Sequence, residues 1–326
     1  MVFAESRIPN PESRILLISL LQAFQSYPAL FVTAVVVLSL AVGSFLNVVI
    51  YRLPKVLIRD WRHQSLESLI EWAGEKDAPL MAKELRAPVT ELCKQIESGE
   101  RYNLVMPRSR CPSCGHKISA HENIPILSWL WLRGRCSQCK TRISVRYPFV
   151  EALTGALSGY VAWRYGLSIA TLAGLIFVWS MIALSFIDFD TTYLPDDITQ
   201  PLLWLGIVFS FANIFANLPS AIVGAAAGYF ILWTVSKVWN VIRNVESMGH
   251  GDFKLLAVIG AWFGWEMLPQ AILISSFIGA MAGLGLMAVG RGDLSTKIPF
   301  GPYLAIAGVL AMLHGPAINQ YYLRLL

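Results

Sequence analysis

At 326 residues, 55% of them hydrophobic and only 14% charged, with a mean hydropathy of +0.54, the chain lies far from the composition of a soluble globular domain. It reads as an all-α polytopic membrane protein. The net charge of +5 is uneven, because residues 52–147 hold 17 of the 26 Lys+Arg against 10 of the 21 Asp+Glu, a surplus of +7. A compact basic block between apolar runs marks a cytoplasmic loop. No basic helix or RNA-binding signature accompanies it, so nucleic acid is not an expected partner.

In chain order, residues 1–28 form an N-terminal external segment, with an interfacial helix expected around Ile15–Phe24. The first transmembrane helix is expected at 29–51. Its apolar run is too long for the core of a signal peptide and meets Arg52 and Lys55 directly, so it reads as a retained anchor. Asn47 inside that span needs a hydrogen-bond partner on another segment. Residues 52–148 form the cytoplasmic basic domain. Its first part, 55–105, has the pattern of amphipathic helices broken near Gly74 and Pro79, and lone Cys93 reads as a small buried side chain.

The second part, 111–139, holds two Cys-x-x-Cys pairs, Cys111/Cys114 and Cys136/Cys139. Each pair is a tight turn that presents two thiolates, and two such turns make a closed four-sulfur zinc site. The 115–135 spacer is slightly longer than is usual for such a site. Zinc with four protein ligands has no open position, so its role is structural. A redox dithiol pair is the rival reading. His116 and His121 read as supporting or surface residues rather than ligands.

Residues 149–326 are expected to carry seven further spans, near Phe149–Tyr165, Ser168–Ile187, Thr199–Ala216, Ser220–Val241, Lys254–Leu268, Ala271–Gly290 and Gly301–His314. That makes about eight in all, with both termini outside. Lys237, Arg243, Lys254, Arg291 and Lys297 then fall in or beside cytoplasmic loops, leaving Arg7, Arg14, Arg164 and Arg324 outside. Four Gly-x-x-x-Gly pairs (155/159, 224/228, 260/264, 279/283) permit close helix contact. Glu151, just inside the second span, is either a helix-capping charge or a site residue.

Chemistry concentrates at two acids. Asp188 ends the apolar run 182–187, and Asp252 opens another after Met248-Gly249-His250-Gly251. The span count brings both to one membrane face, where two aspartates are the parts of an aspartyl protease. Solvated carboxylates at helix ends are the plain alternative. Asp196 and Asp197 follow Pro195 as helix-start residues, Asp190 is ambiguous, and Lys254 reads as an anchor at the membrane edge.

Six stretches together resemble the type IV prepilin peptidase family of GxGD-type intramembrane aspartyl proteases. They are Gly43–Pro54, the cysteine module, Arg146–Glu151, Asp188–Asp197, Met248–Leu255 and Pro299–Gly308. The resemblance implies a bifunctional enzyme of the bacterial inner membrane. Such an enzyme cleaves the leader peptide of type IV prepilins and pseudopilins at the cytoplasmic face, with Asp188 and Asp252 as the catalytic pair. It then N-methylates the new terminus from S-adenosylmethionine, in the service of pilus biogenesis or type II secretion. No Gly-x-Gly-x-x-Gly follows a strand, so the sequence names no residue for that cofactor. The 55–105 segment is longer than the family pattern. Two rivals stay open: a non-catalytic, zinc-stabilised membrane scaffold of a pilus or secretion assembly, and a transporter using the two acids as a proton relay. A zinc metalloprotease is disfavoured because no His-Glu-x-x-His occurs.

Overall fold

The computed structural model describes residues 11–75, 79–97, 102–243, 248–290 and 298–325. Residues 1–10 of the expected external segment, and with them Arg7, lie outside the described residues, as do Arg291 and Lys297. The helices are α1 (Pro11–Ser26), α2 (Pro28–Gly74), α3 (Leu80–Glu97), α4 (Leu127–Trp131), α5 (Arg146–Tyr165), α6 (Ile169–Thr191), α7 (Asp196–Phe211), α8 (Leu218–Arg243), α9 (His250–Phe263), α10 (Leu268–Ala288) and α11 (Gly301–Leu325). Short 3-10 turns occupy Ala120–Asn123 and Trp265–Met267. Among the described residues there is no strand, only two isolated bridges, so the chain is all-α as expected.

By length and composition five helices suit a bilayer: Pro28–Gly74, Ile169–Thr191, Leu218–Arg243, Trp265–Ala288 and Gly301–Tyr321. This is the pattern of a multi-pass membrane protein. They account for five of the eight expected spans. The others fall short for physical reasons: α7 has 16 residues and α9 has 14, and α5 carries Glu151 between Arg146 and Arg164. The first helix does not stop at Tyr51. It continues to Gly74 with Pro54 inside it, since one missing amide removes a single helical hydrogen bond.

The chain forms two compact units, Met1–Gly43 with Pro148–Leu326, and Ser44–Tyr147. In the first, α9 is the central post: every residue from Leu255 to Phe263 is buried. Trp262 donates from Nε1 to the Leu202 carbonyl of α7 at 2.7 Å, and its ring lies 5.0 Å from Phe177 of α6. A β-carbon on Gly206 would stand 2.5 Å from that indole, so glycine on α7 is what admits Trp262. Backbone meets backbone where α8 crosses α9: a β-carbon on Gly228 would lie 2.6 Å from the Leu256 carbonyl oxygen, and Gly224 and Gly260 face one another directly. Gly155 and Gly159 of α5 likewise take Leu40 and Val36 of α2 against their backbones. The glycine pairs are contact surfaces.

In the second unit α2 breaks at Gly74 and α3 starts at Leu80, as the Gly74 and Pro79 signals predict, with Ala73 and Ala82 buried together. Cys93 is buried, its sulfur 3.5 Å from His63 Nε2. Asn47 finds its partner: Nδ2 donates to the Tyr147 carbonyl at 3.1 Å. Arg52, expected to flank a membrane, is 8% exposed and donates to the carbonyls of Asn103 at 3.1 Å and Pro107 at 2.7 Å.

Candidate active site

Helix α6 closes with Thr192 in the left-handed region (φ 52°), whose N–H donates to the Asp188 carbonyl at 2.8 Å. Both acids of Asp188-Phe189-Asp190 lie inside this helix on nearly opposite faces: Asp188 is 5% exposed, whereas Asp190 is on the surface. The next turn carries buried Leu194 and then Pro195, which precedes α7. Gly249, in extended conformation, caps the start of α9, so Asp252 lies within the first helical turn rather than ahead of the helix.

Three short approaches bring these pieces together. A β-carbon on Gly251 would lie 2.9 Å from Leu194 Cβ, so α9 enters directly against the α6–α7 turn. One on Gly301 would lie 3.3 Å from Leu194 Cδ1 and 2.6 Å from Asp188 Oδ2, so α11 begins against the same leucine and the first aspartate. Gly301 N–H donates to Asp188 Oδ2 at 3.0 Å. Asp188 and Asp252 interact electrostatically, and Asp252 Oδ1 is shut away from solvent without a hydrogen-bond partner. Two carboxylates so placed cannot both ionise easily. Lys254, two residues on, is not a free anchor: Nζ is 2.7 Å from both carboxylate oxygens of Asp196 in the first turn of α7.

The four cysteines of the second unit form a separate centre. Their sulfurs all lie within 4.8 Å of one another. The two knuckles share one backbone pattern. Gly115 N–H donates to the Cys111 carbonyl and Lys140 N–H to the Cys136 carbonyl, and both donors have positive φ. The Cys111 amide bonds the His116 carbonyl and the Cys136 amide bonds the Thr141 carbonyl, so each loop closes on itself. Cys111 and Cys139 sulfurs are 3.7 Å apart, close to the edge of about 3.8 Å that four sulfurs make around a metal at about 2.3 Å. The Thr141 hydroxyl, and then its amide, hold the Cys139 thiol down at about 6. The His116 amide favours the Cys114 thiolate, yet burial and the other three sulfurs push that thiol up to about 12. Four thiolates repel one another unless a cation sits among them, so the donor set suits a metal ion. His116 stands outside the sulfur cluster and partners Glu122, at 3.2 Å.

Two family patterns match the chain in tandem. The bacterial peptidase A24 N-terminal domain matches residues 37–165, which include the four cysteines, and the type IV leader peptidase family matches 175–284, which include both aspartates. The prepilin leader peptidase/N-methyltransferase of Pseudomonas putida is 48% identical, over 92% of this chain and 96% of that protein. Proteins of the same description from Aeromonas salmonicida (46% identical, over 93% of this chain and 98% of that protein) and Pseudomonas aeruginosa (45%, over 94% and 98%) match similarly. The chain belongs to the type IV leader peptidase family. No solved structure matches it.

In this family member, sequence reasoning missed two contacts around the acids. One is the Gly301 amide on Asp188. Its only trace in the sequence is Pro299-Phe300-Gly301-Pro302, a helix-start signal that says nothing about which side chain the free amide meets. The other is Lys254 with Asp196, too far apart in sequence for any periodicity to pair.

Proposed function

We propose that this chain cuts the leader from type IV prepilins and pseudopilins at the cytoplasmic face of a bacterial inner membrane, with Asp188 and Asp252 as the catalytic pair. It then methylates the new N-terminal amine. The observation that supports the reading is that Gly251, next to Asp252, and Gly301, whose amide holds Asp188, both pack on Leu194, in a chain of the leader peptidase family.

The chemistry follows from one proton shared by two acids. The ionised carboxylate takes a proton from water as the water oxygen attacks the scissile carbonyl carbon. The protonated partner gives its proton to the carbonyl oxygen, leaving a gem-diol. On collapse, the first acid passes its proton to the amide nitrogen as the C–N bond breaks, and one diol hydroxyl returns a proton to the second. Acid and amine leave, and both aspartates regain their starting states. A scaffold without catalysis gives no reason to seal one oxygen of Asp252 from solvent without a donor.

S-adenosylmethionine supplies an electrophilic methyl group for the released amine. No residue is assigned to it, because the described residues hold no strand from which a dinucleotide-type glycine loop could spring. The ion we assign to the four cysteines is zinc, in a folding role. The test is to incubate purified protein with a prepilin and S-adenosylmethionine and weigh the products by mass spectrometry, beside Asp188→Asn and Asp252→Asn. Leader loss plus one methyl group, with leader loss abolished in both variants, is the expected result. Leader loss without the methyl group would sink the transferase half alone.

A further inference from the structure

We infer that the two aspartates are not interchangeable: the Gly301 amide fixes Asp188 as the ionised, proton-accepting member and leaves the shared proton on Asp252. This rests on the reading of Asp188 and Asp252 as the catalytic pair. Gly301 is the first residue of α11, so its N–H has no acceptor within its own helix. It spends that donor on Asp188 Oδ2, at 3.0 Å. An N–H donor favours the charged form of a carboxyl group, and the positive end of a 25-residue helix adds to the effect.

Asp252 has the opposite surroundings. Its Oδ1 is sealed from solvent and meets no donor among the described residues. Asp252 as a whole is only part-buried, but the first turn of α9 contributes less toward negative charge than a sealed, unpartnered carboxylate oxygen costs. The nearby ammonium does not compensate, since Lys254 is held by both oxygens of Asp196. Other titratable groups on the elements that meet here are Asp190 on α6, Tyr193 in the turn before α7, Asp197 at the start of α7, Tyr229 on α8, His250 on α9 and Tyr303 on α11. None of them donates a hydrogen bond to Asp252 Oδ1.

Glycine at 301 is a condition of the arrangement. A β-carbon there would stand 2.6 Å from Asp188 Oδ2 and drive the carboxylate off the amide. Gly301 is therefore a positioning residue, acting through Asp188.

The experiment is infrared difference spectroscopy on the purified full chain at neutral pH, wild type against Asp188→Asn and against Asp252→Asn, with prepilin cleavage measured on the same samples. A protonated carboxyl group has a C=O stretch that a carboxylate lacks. The expected result is loss of an acid band in Asp252→Asn and loss of carboxylate bands alone in Asp188→Asn. The reverse pattern, an acid band lost in both, or an acid band lost in neither would overturn the assignment. Cleavage at the wild-type rate in either variant would instead remove the catalytic pair itself, whatever the bands show. Gly301→Ala should lower kcat about a hundredfold with KM unchanged, as a displaced catalytic group does, and should shift the Asp188 carboxylate band. Wild-type cleavage with an unshifted band would strip Gly301 of the role.

Discussion

Lys254, near the start of α9, and Asp196, in the first turn of α7, form a two-oxygen ion pair, both contacts at 2.7 Å. The pair braces the helix that carries Asp252 against the turn that carries Leu194. Its side chains are 27% and 51% exposed, so solvent screens most of the attraction. A double-mutant cycle of Lys254→Gln and Asp196→Asn should give a coupling of about 0.5 kcal/mol in thermal stability, shrinking as salt rises. Cleavage should fall by a similar modest factor in each single variant. A coupling near zero at low salt would show that the pair braces nothing.

The crossing of α8 and α9 has no room for a side chain. Gly260→Ala would push a methyl group into the Gly224 backbone and cost about 1–3 kcal/mol, because backbone cannot step aside as a side chain can. Since α9 carries Asp252, prepilin cleavage should fall with it. Gly285→Ala is the matched control: nothing lies within 4 Å of its added β-carbon, so stability should hold or rise. Equal melting temperatures for the two variants would contradict the packing.

Glu122 gives the cysteine-bearing unit a pH dependence of known sign. The Ser119 hydroxyl, at 2.6 Å, and then the Ser119 amide, at 2.9 Å, hold its carboxyl far below the ordinary range. A carboxyl depressed by folding contributes its full stability above its unfolded pKa, about 4.3, and loses it as pH falls through the lower folded value. Glu122→Gln should therefore destabilise this unit at pH 7 and pH 6 alike, and the gap from wild type should close below about pH 4. Hydrogen exchange at the 116–122 amides, followed against pH, measures it. A gap that widens in acid would give the carboxyl the opposite role.

How far the sequence carries the structure depends on the range of the interaction. The all-α class, the break between α2 and α3, the glycine contacts and the four-cysteine cluster rest on local spacing, and spacing is written in the chain. Which of Asp188 and Asp190 faces inward depends on how α6 is rotated against its neighbours: two residues apart they point to nearly opposite faces, and packing buries Asp188 and leaves Asp190 exposed. Arg52 looked like a membrane-edge charge because charge placement reports the bilayer, whereas its carbonyl partners at 103 and 107 depend on how a distant loop returns. The continuation of α2 through Pro54 has the same origin, since tertiary contacts override a local breaker. The Gly301–Asp188 bond, between the starts and ends of helices far apart in sequence, left no pattern to read.

The cysteine centre makes the last prediction. Its knuckles are held by backbone turns, and α4 beside them has only five residues, so little apolar core is on hand to fold the 109–143 segment alone. One zinc ion per chain should be found by elemental analysis, and Cys111→Ser or Cys136→Ser should remove it. Cys93→Ser should keep the metal, because the Cys93 sulfur lies by His63 and outside the cluster. Chelation should raise hydrogen exchange across 109–143, since metal affinity here is folding free energy. The contrast with Cys93 separates a metal from a redox dithiol. A redox pair would instead give a reversible loss of two thiols on mild oxidation in the metal-free protein, with exchange in this segment unchanged by chelator. Retention of zinc in both knuckle variants would place the ion elsewhere.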